Sequence, residues 1–534
     1  MAIEHERIVV FSDKPVQWIK NNRGLLYSVA IACFLILNGL YCYKTSDYSN
    51  SILIVTTICV LLWCAICIIN FYFKKKKGYI HRILLVVLLA IGSLYSLVFQ
   101  PITAPDEQYH FQSSYIYSNY LMFKNPSSNP LPVREADAEE ITKIGILWEL
   151  KNQRYNDIAD NFELFTSNTK ETLISPIASY ELSSNLPQLK LPSAIGITIA
   201  RIIGLGFYPL FYLGRLFNFL FFACLCCFAV KITPVAKNAF IAIALLPMTL
   251  HLTSSYSYDA GIIGLSFLFT ALCFKATYSS EKMTKKDFIA IAIIACLLAP
   301  CKGVYSLLVF IVLIIPITTF SSKKRAAFYK TGVIGISFIS MLVIKLSTLI
   351  SLTRVEQVSQ VFRGEELGSF HSIAEFFSDP LGTITIFIRT LEHNTGFYFA
   401  TTIGGALGWF QQEIVAPKYF LLAFALLLVL AFLKTPEDSL IIQKRHRVLF
   451  FAIFCFGVFA IMLSMFVAWT FVDETVIVGV QGRYFLPYLP LLALALRSNT
   501  IESNRNLQTL ILFGLAVMNM VYVMKIFAIV TTIT

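Results

Sequence analysis

The chain reads as long apolar runs broken by short polar turns, with two exceptions where polar residues persist for tens of positions. The runs fall near 25–43, 51–73, 80–99, 208–230, 239–256, 258–278, 288–301, 303–320, 331–350, 417–433, 448–471, 484–497 and 507–531. Several reach 18 residues or more, the length that carries an α-helix across a hydrocarbon core of roughly 30 Å. Their leucine and isoleucine content, and the lack of short alternating strands, point to helices and away from a β-barrel. The pattern predicts an all-α polytopic membrane protein with about 13 transmembrane helices, in a range of roughly 11–14. A cytoplasmic N-terminus makes the turns alternate consistently, and 13 crossings leave the C-terminus outside.

The polar interruptions divide the chain. Residues 1–100 hold a cytoplasmic segment and spans one to three, and 101–207 form a large outer loop. Residues 208–350 hold spans four to nine, 351–416 form a second outer loop, and 417–534 hold the C-terminal spans. Within the first loop, ITKIGILWEL (141–150) carries apolar residues at helical spacing and predicts an amphipathic helix on the membrane. The stretch LPSAIGITIARIIGLGF (191–207) is apolar but contains Arg201 and begins with a proline; it predicts an interfacial or re-entrant helix. No transporter-type internal repeat is visible.

Composition sharpens the class. The chain is 57% hydrophobic and 14% charged, with a mean hydropathy of +0.70, against about 25% charged in soluble proteins. A soluble enzyme, a nucleic-acid binder and a disulfide-stapled secreted module are excluded. The net charge of +12 gathers in turns of one sidedness: the lysines at 74–77, Lys282 with Lys285 and Lys286, residues 323–325, and Lys444 with Arg445 and Arg447. That is the positive-inside pattern, so the partner is a lipid bilayer rather than a nucleic acid. Cys64 and Cys67 form a CxxC inside an apolar run with no further ligands nearby, which reads as helix packing. The first 23 residues are too polar for a signal-peptide core, so the first span is expected to stay as an anchor.

Four places carry chemistry that an apolar bundle does not need, since an ionisable group at membrane depth costs roughly 2.5–3.5 kcal/mol. In TAPDEQYHF (103–111), Asp106 and Glu107 are adjacent and His110 lies a turn further on. Pro105 suits a helix start, and a carboxylate there is able to accept a proton from a sugar hydroxyl; a helix cap with a solvated neighbour is the plain alternative. In GVQGRYFLPYLP (479–490), Arg483 offers a planar fork suited to phosphate oxygens, with Tyr484 and Tyr488 beside it; an interfacial Arg/Tyr belt is the alternative. In APCKGVY (299–305), Pro300 and Gly303 explain a turn but Lys302 does not, because it falls on the outer side. In HLTSSYSYDAG (251–261), His251 and Asp259 sit at another outer turn; His251 reads first as a satisfied interfacial histidine and second as a substrate contact. Arg215 and Lys345 are expected to snorkel or to pair within the bundle. Asp106, Glu107, Asp473 and Glu474 offer oxygens to a divalent cation such as Mg or Mn, but no spacing selects one. All four places map to the outer face, which predicts one cleft holding an acid and several cations.

These residues carry a resemblance. PDEQYHF (105–111), GALGWFQQEIVAP (405–417) and GVQGRYFLPYLP (479–490) resemble the signatures of a bacterial membrane-protein family catalogued as domain of unknown function 2142. The acidic outer loop and the Lys-Gly turn at 302–303 are also similar to those of GT-C superfamily glycosyltransferases, although there the loop follows the first span and here the third. The resemblance implies a GT-C-like fold in the bacterial inner (plasma) membrane, with its active site on the periplasmic, extracytoplasmic face. It implies inverting transfer of a sugar from a polyprenyl-phosphate donor to a glycan acceptor such as O-antigen or teichoic acid. Asp106 would be the base, with Glu107 orienting it or holding a metal. Arg483 and Lys302 would bind the donor phosphate, and His110, Tyr484, His251 and Asp259 the rest of the substrate. A flippase for lipid-linked saccharides and a polysaccharide polymerase are the competing classes.

Overall fold

The structure is a computed structural model that describes residues 22–46, 50–74, 78–127, 129–144, 152–176, 186–280, 283–353, 361–362, 365–366, 370–408 and 415–532. It is mostly helical. Three long helices open the chain: α1 (Arg23–Thr45), α2 (Asn50–Phe73) and α3 (Ile80–Val98). A layered segment follows, with α4 (Glu107–Leu121), β1 (Leu131–Arg134), α5 (Glu135–Ile144), α6 (Asn152–Asp160), β2 (Glu171–Ile174) and α7 (Pro187–Ile202). Next come α8 (Phe207–Ile232), α9 (Lys237–Ala244), α10 (Pro247–Thr253), α11 (Asp259–Tyr278) and α12 (Lys285–Leu298), then a 3₁₀ helix at Gly303–Ile314. The rest comprises α13 (Lys323–Thr353), two paired two-residue strands (Val361–Phe362 and Glu365–Glu366), α14 (Ile373–Ser378), α15 (Pro380–Ile403), α16 (Lys418–Phe432) and α17 (Lys444–Trp469). A 3₁₀ turn at Gly482–Tyr488 leads into α18 (Leu489–Leu496), and α19 (Gln508–Thr531) ends the chain.

Among the described residues, eight helices are long and apolar enough to cross a membrane: α1, α2, α3, α8, α11, the 323–344 part of α13, α17 and α19. The protein is a multi-pass membrane protein. The other five expected spans are shorter or broken. Residues 288–301 and 417–433 become α12 and α16, of 14 and 15 residues. Residues 303–320 and 484–497 begin as 3₁₀ helix, whose rise of about 2.0 Å per residue stretches 12 residues over about 24 Å. The tighter coil thus recovers reach that the short segments would lack as α-helix.

The break in 239–256 has an identifiable cause. Pro247 has no N–H to continue the helix, so α9 stops at Ala244 and α10 restarts at Pro247. Carbonyls freed at membrane depth must find donors. Thr249 donates to the Ile243 carbonyl at 2.7 Å, and the Asn519 amide donates to the Leu245 carbonyl at 2.8 Å. Tyr95 holds Asn519 in turn, donating to its amide oxygen at 2.7 Å. Three distant helices therefore meet at one satisfied break.

The 101–207 segment is more than a loop. β1 and β2 pair antiparallel, Leu131 opposite Ile174 and Arg134 opposite Glu171. A second hydrophobic core, including Phe111, Tyr115, Val133, Ile197, Phe207, Phe211 and Tyr256, joins α4, β1, α7 and α8. The stretch expected as an interfacial or re-entrant helix is α7. It packs against α4 and α8, and Lys190, Ser193 and Arg201 on it are buried. Arg201 donates to the Ser118 hydroxyl and the Asn119 amide oxygen, which explains its tolerance in an apolar stretch. Of the expected amphipathic helix at 141–150, residues 141–144 end α5 and 145–150 lie outside the described residues.

Residues 351–416, read as a loop, contain the 24-residue helix α15. Arg389, Glu392, His393 and repeated threonines dilute its hydropathy, so its apolar pattern is not that of a span. Cys64 and Cys67 lie on α2 as free thiols, Cys64 exposed and Cys67 partly buried.

Candidate functional site: a carboxylate turn over a cationic cleft

The turn from α3 into α4 is conformationally unusual. Ile102 and Asp106 both adopt left-handed backbone, at φ 67° and 57°, a region costly for a β-branched residue and tolerated by aspartate. Surrounding groups impose it. Arg215 on α8 donates to the carbonyls of Ser96, Phe99 and Gln100, and Arg154 donates to that of Pro101 at 2.6 Å. Tyr155 caps the Val98 carbonyl, and Thr103 bonds that of Gln100.

The same arginine decides the fate of Glu107. Its guanidinium forks onto the carboxylate, Nε to Oε1 at 2.8 Å and Nη2 to Oε2 at 2.7 Å, and both side chains are shut away from solvent. The Tyr256 N–H adds a third donor at 3.1 Å. Glu107 is thus saturated by a structural partner, and Arg215 pairs within the bundle. Asp106 occupies the N-cap position of α4 yet makes no side-chain cap bond. Its side chain is 57% exposed, and its carboxylate lies 3.8 Å from Arg483.

Arg483 joins this turn to the rest of the cleft. Its side chain is 7% exposed, and its Nε lies 4.0 Å from Asp259 at the start of α11. Lys302 reaches the other oxygen of Asp259 at 3.6 Å. Lys302 also sits over two aromatic faces, 4.7 Å from Tyr258 and 4.5 Å from Tyr484, a cation–π arrangement that holds an ammonium in partly dry surroundings. The Arg483 guanidinium stacks 5.2 Å over Tyr484 and donates to its hydroxyl at 3.4 Å. His110 meets Tyr258 edge-on at 4.5 Å. Burial, reinforced by Lys190, Arg483 and Lys302, pushes the His110 imidazole well below its ordinary range.

Gly482 explains why Arg483 can stand here. A Cβ on it would fall 2.1 Å from the Tyr398 carbonyl oxygen and 2.4 Å from the Thr402 nitrogen of α15. Its own N–H donates to the Thr401 hydroxyl at 2.9 Å, and its carbonyl accepts from Thr402 at 3.0 Å. On the opposite side, two tyrosines lock the Lys302 turn to the Arg483 turn. Tyr305 donates to the Tyr484 carbonyl at 3.1 Å, and Tyr488 donates to the Val304 carbonyl.

The structure thus brings together Asp106, Asp259, Lys302, Arg483, Tyr484 and His110. His251 is engaged elsewhere: its Nε2 accepts the Gly408 N–H at 3.1 Å and its ring packs on Phe99 at 4.4 Å. Asp473 and Glu474 are exposed on the turn after α17. Among the described residues, no three His, Cys, Asp or Glu side chains converge to hold a metal ion. Trp409 to Ile414, part of the GALGWFQQEIVAP motif, Lys282 and the lysines at 75–77 lie outside the described residues, as do the Lys345 side-chain contacts. Sequence reasoning missed Lys190 and Tyr258. A lysine within the otherwise apolar PQLKLPSAIG of α7 was the available signal.

A polytopic helical bundle with a cluster of paired charges among its helices defines the class. The chain belongs to the family described as predicted membrane protein DUF2142, which it matches over residues 89–492. That match takes in α4, α7, α11, the Lys302 turn and Arg483, and it leaves out α1, α2 and α19. No curated protein and no solved structure matches the chain.

Proposed function

We propose that the cleft is the active site of a glycosyltransferase that moves a sugar from a polyprenyl-phosphate donor to a glycan acceptor at the outer face of the bacterial inner membrane. The observation that carries the reading is the pairing of an exposed carboxylate on a rigid turn with a buried arginine 3.8 Å away. Asp106 has no structural task, since it caps nothing and the turn is held by other groups. It accepts the proton of the acceptor hydroxyl while that oxygen bonds to the sugar's anomeric carbon. The bond from that carbon to the phosphate oxygen breaks with its electron pair, and the configuration inverts. Arg483 and Lys302 meet the charge that grows on the phosphate, as preorganised cations do best in a partly dry site. Asp259 spaces the two cations, and Tyr258 and Tyr484 offer faces to the sugar or the first isoprene unit. Glu107 belongs to the scaffold.

The test reconstitutes the full chain in vesicles with a polyprenyl-phosphate sugar and an acceptor glycan. Transfer is expected, with Arg483→Lys retaining more donor affinity than Arg483→Ala, because a point charge keeps attraction but loses the fork. Movement of the lipid-linked sugar across the bilayer without transfer would assign the protein to the flippase class instead.

A further inference from the structure

Among the described residues, Lys190 is a buried lysine with no counter-ion in contact. Its side chain is fully buried, and its ammonium has no hydrogen-bond partner among the described residues. The other buried cations nearby are provided for: Arg134 forks onto Asp137, Arg201 bonds Ser118 and Asn119, and Arg215 holds Glu107. Lys190 has the face of Tyr258, 5.6 Å from the ring centre, the ring that Lys302 and His110 also approach. Burial pushes the Lys190 ammonium well below its ordinary range, countered only through space by Asp259 and Asp106, which lie 4.0 and 3.8 Å from Arg483. One turn along α7, the Ser193 hydroxyl is equally buried and, among the described residues, lacks a partner, as does Nδ1 of His110. Buried polar groups are rarely left so, and an unpaired buried charge carries a large desolvation cost.

We infer that Lys190, with the Ser193 hydroxyl beside it, binds an anionic phosphate oxygen of the substrate where α4, α7 and the turn before α11 meet. The inference rests on the transferase reading for which phosphate this is. A phosphodiester monoanion becomes a dianion when the sugar leaves, and the charges of Arg483 and Lys302 are shared with Asp106 and Asp259. Burial drives Lys190 toward its neutral form, and a phosphate oxygen in contact restores its charge, so Lys190 supplies a further cation to the bound group.

Binding is measured on the full chain in nanodiscs with farnesyl phosphate, farnesol and glycerol phosphate as probes. Farnesyl phosphate should bind and farnesol should not. Lys190→Met should weaken farnesyl phosphate by roughly 10–100-fold, the worth of a charge-assisted hydrogen bond, with Lys190→Arg and Ser193→Ala less affected. The ligand-free Lys190→Met protein should melt no lower than wild type, since it loses only an unpaired buried charge. Undiminished binding by Lys190→Met overturns the assignment. So does a lowered melting temperature that Lys190→Arg restores, which would reveal a structural ion pair. Lys190-dependent binding of glycerol phosphate alone keeps the phosphate site but gives it to the acceptor. Lys190-dependent binding of farnesyl phosphate with no sugar transfer leaves this inference standing and removes the transferase reading.

Discussion

Asp106 and Glu107 are consecutive carboxylates beside arginines, and the two pairs are built to opposite ends. Glu107 and Arg215 are dry, bidentate and geometrically saturated, at 2.7–2.8 Å with side chains at 0% and 1% exposure. Asp106 and Arg483 stand 3.8 Å apart with one partner half in solvent. A saturated buried pair has no lone pairs or protons left for a substrate, so it can serve only the fold. A loose pair on a rigid turn leaves both charges available to a third party. The Glu107 pair is what makes the Asp106 turn rigid, because Arg215 grips the turn's carbonyls as well.

The comparison can be broken at several points. The largest effect on stability is expected from Glu107→Gln, which leaves Arg215 buried without its counter-ion. A loss of about 3–5 kcal/mol follows for such a site, and it should appear as poor accumulation and a lowered melting temperature in detergent. A wild-type melting curve for Glu107→Gln would show the pair to be dispensable. Gly482→Ala comes next. Its methyl group collides with the backbone of α15, so about 1–3 kcal/mol of overpacking is expected. Donor saturation should weaken with it, because Arg483 must shift. Normal stability and normal donor affinity together would mean that α15 yields freely. Tyr488→Phe removes one hydrogen bond between the Arg483 and Lys302 turns, worth about 0.5–1.5 kcal/mol. The smallest change in stability, within about 0.5 kcal/mol, is expected for Asp106→Asn, whose exposed carboxylate caps no helix and makes only a loose 3.8 Å pair with Arg483.

The same contrast shows what was legible from residues alone. The thirteen apolar segments, the PDEQYHF turn and the convergence of Lys302, Asp259 and Arg483 follow from hydropathy and from charges that the positive-inside bias leaves unexplained. Which of two adjacent acids is buried does not, because the deciding residue, Arg215, lies 108 positions away in sequence. Lys190 was hidden for a related reason. A lysine in an apolar stretch reads as snorkelling, and only the packing of α7 between α4 and α8 shows that it has no route to water. The helix α15 escaped notice because its threonines look polar. In the structure Thr390, Thr401 and Thr402 spend their hydroxyls on the backbone of 477–482 and of α15 itself.

The central claim is that Asp106 is the proton acceptor of a group transfer and carries no structural duty. The direct measurement follows sugar transfer and thermal melting side by side for wild type and Asp106→Asn in the same vesicles. The account predicts an unchanged melting temperature with transfer slower by about 10²–10⁴, the usual cost of losing a positioned base. Full transfer by Asp106→Asn would contradict it, and a fall in melting temperature equal to that of Glu107→Gln would return Asp106 to the scaffold.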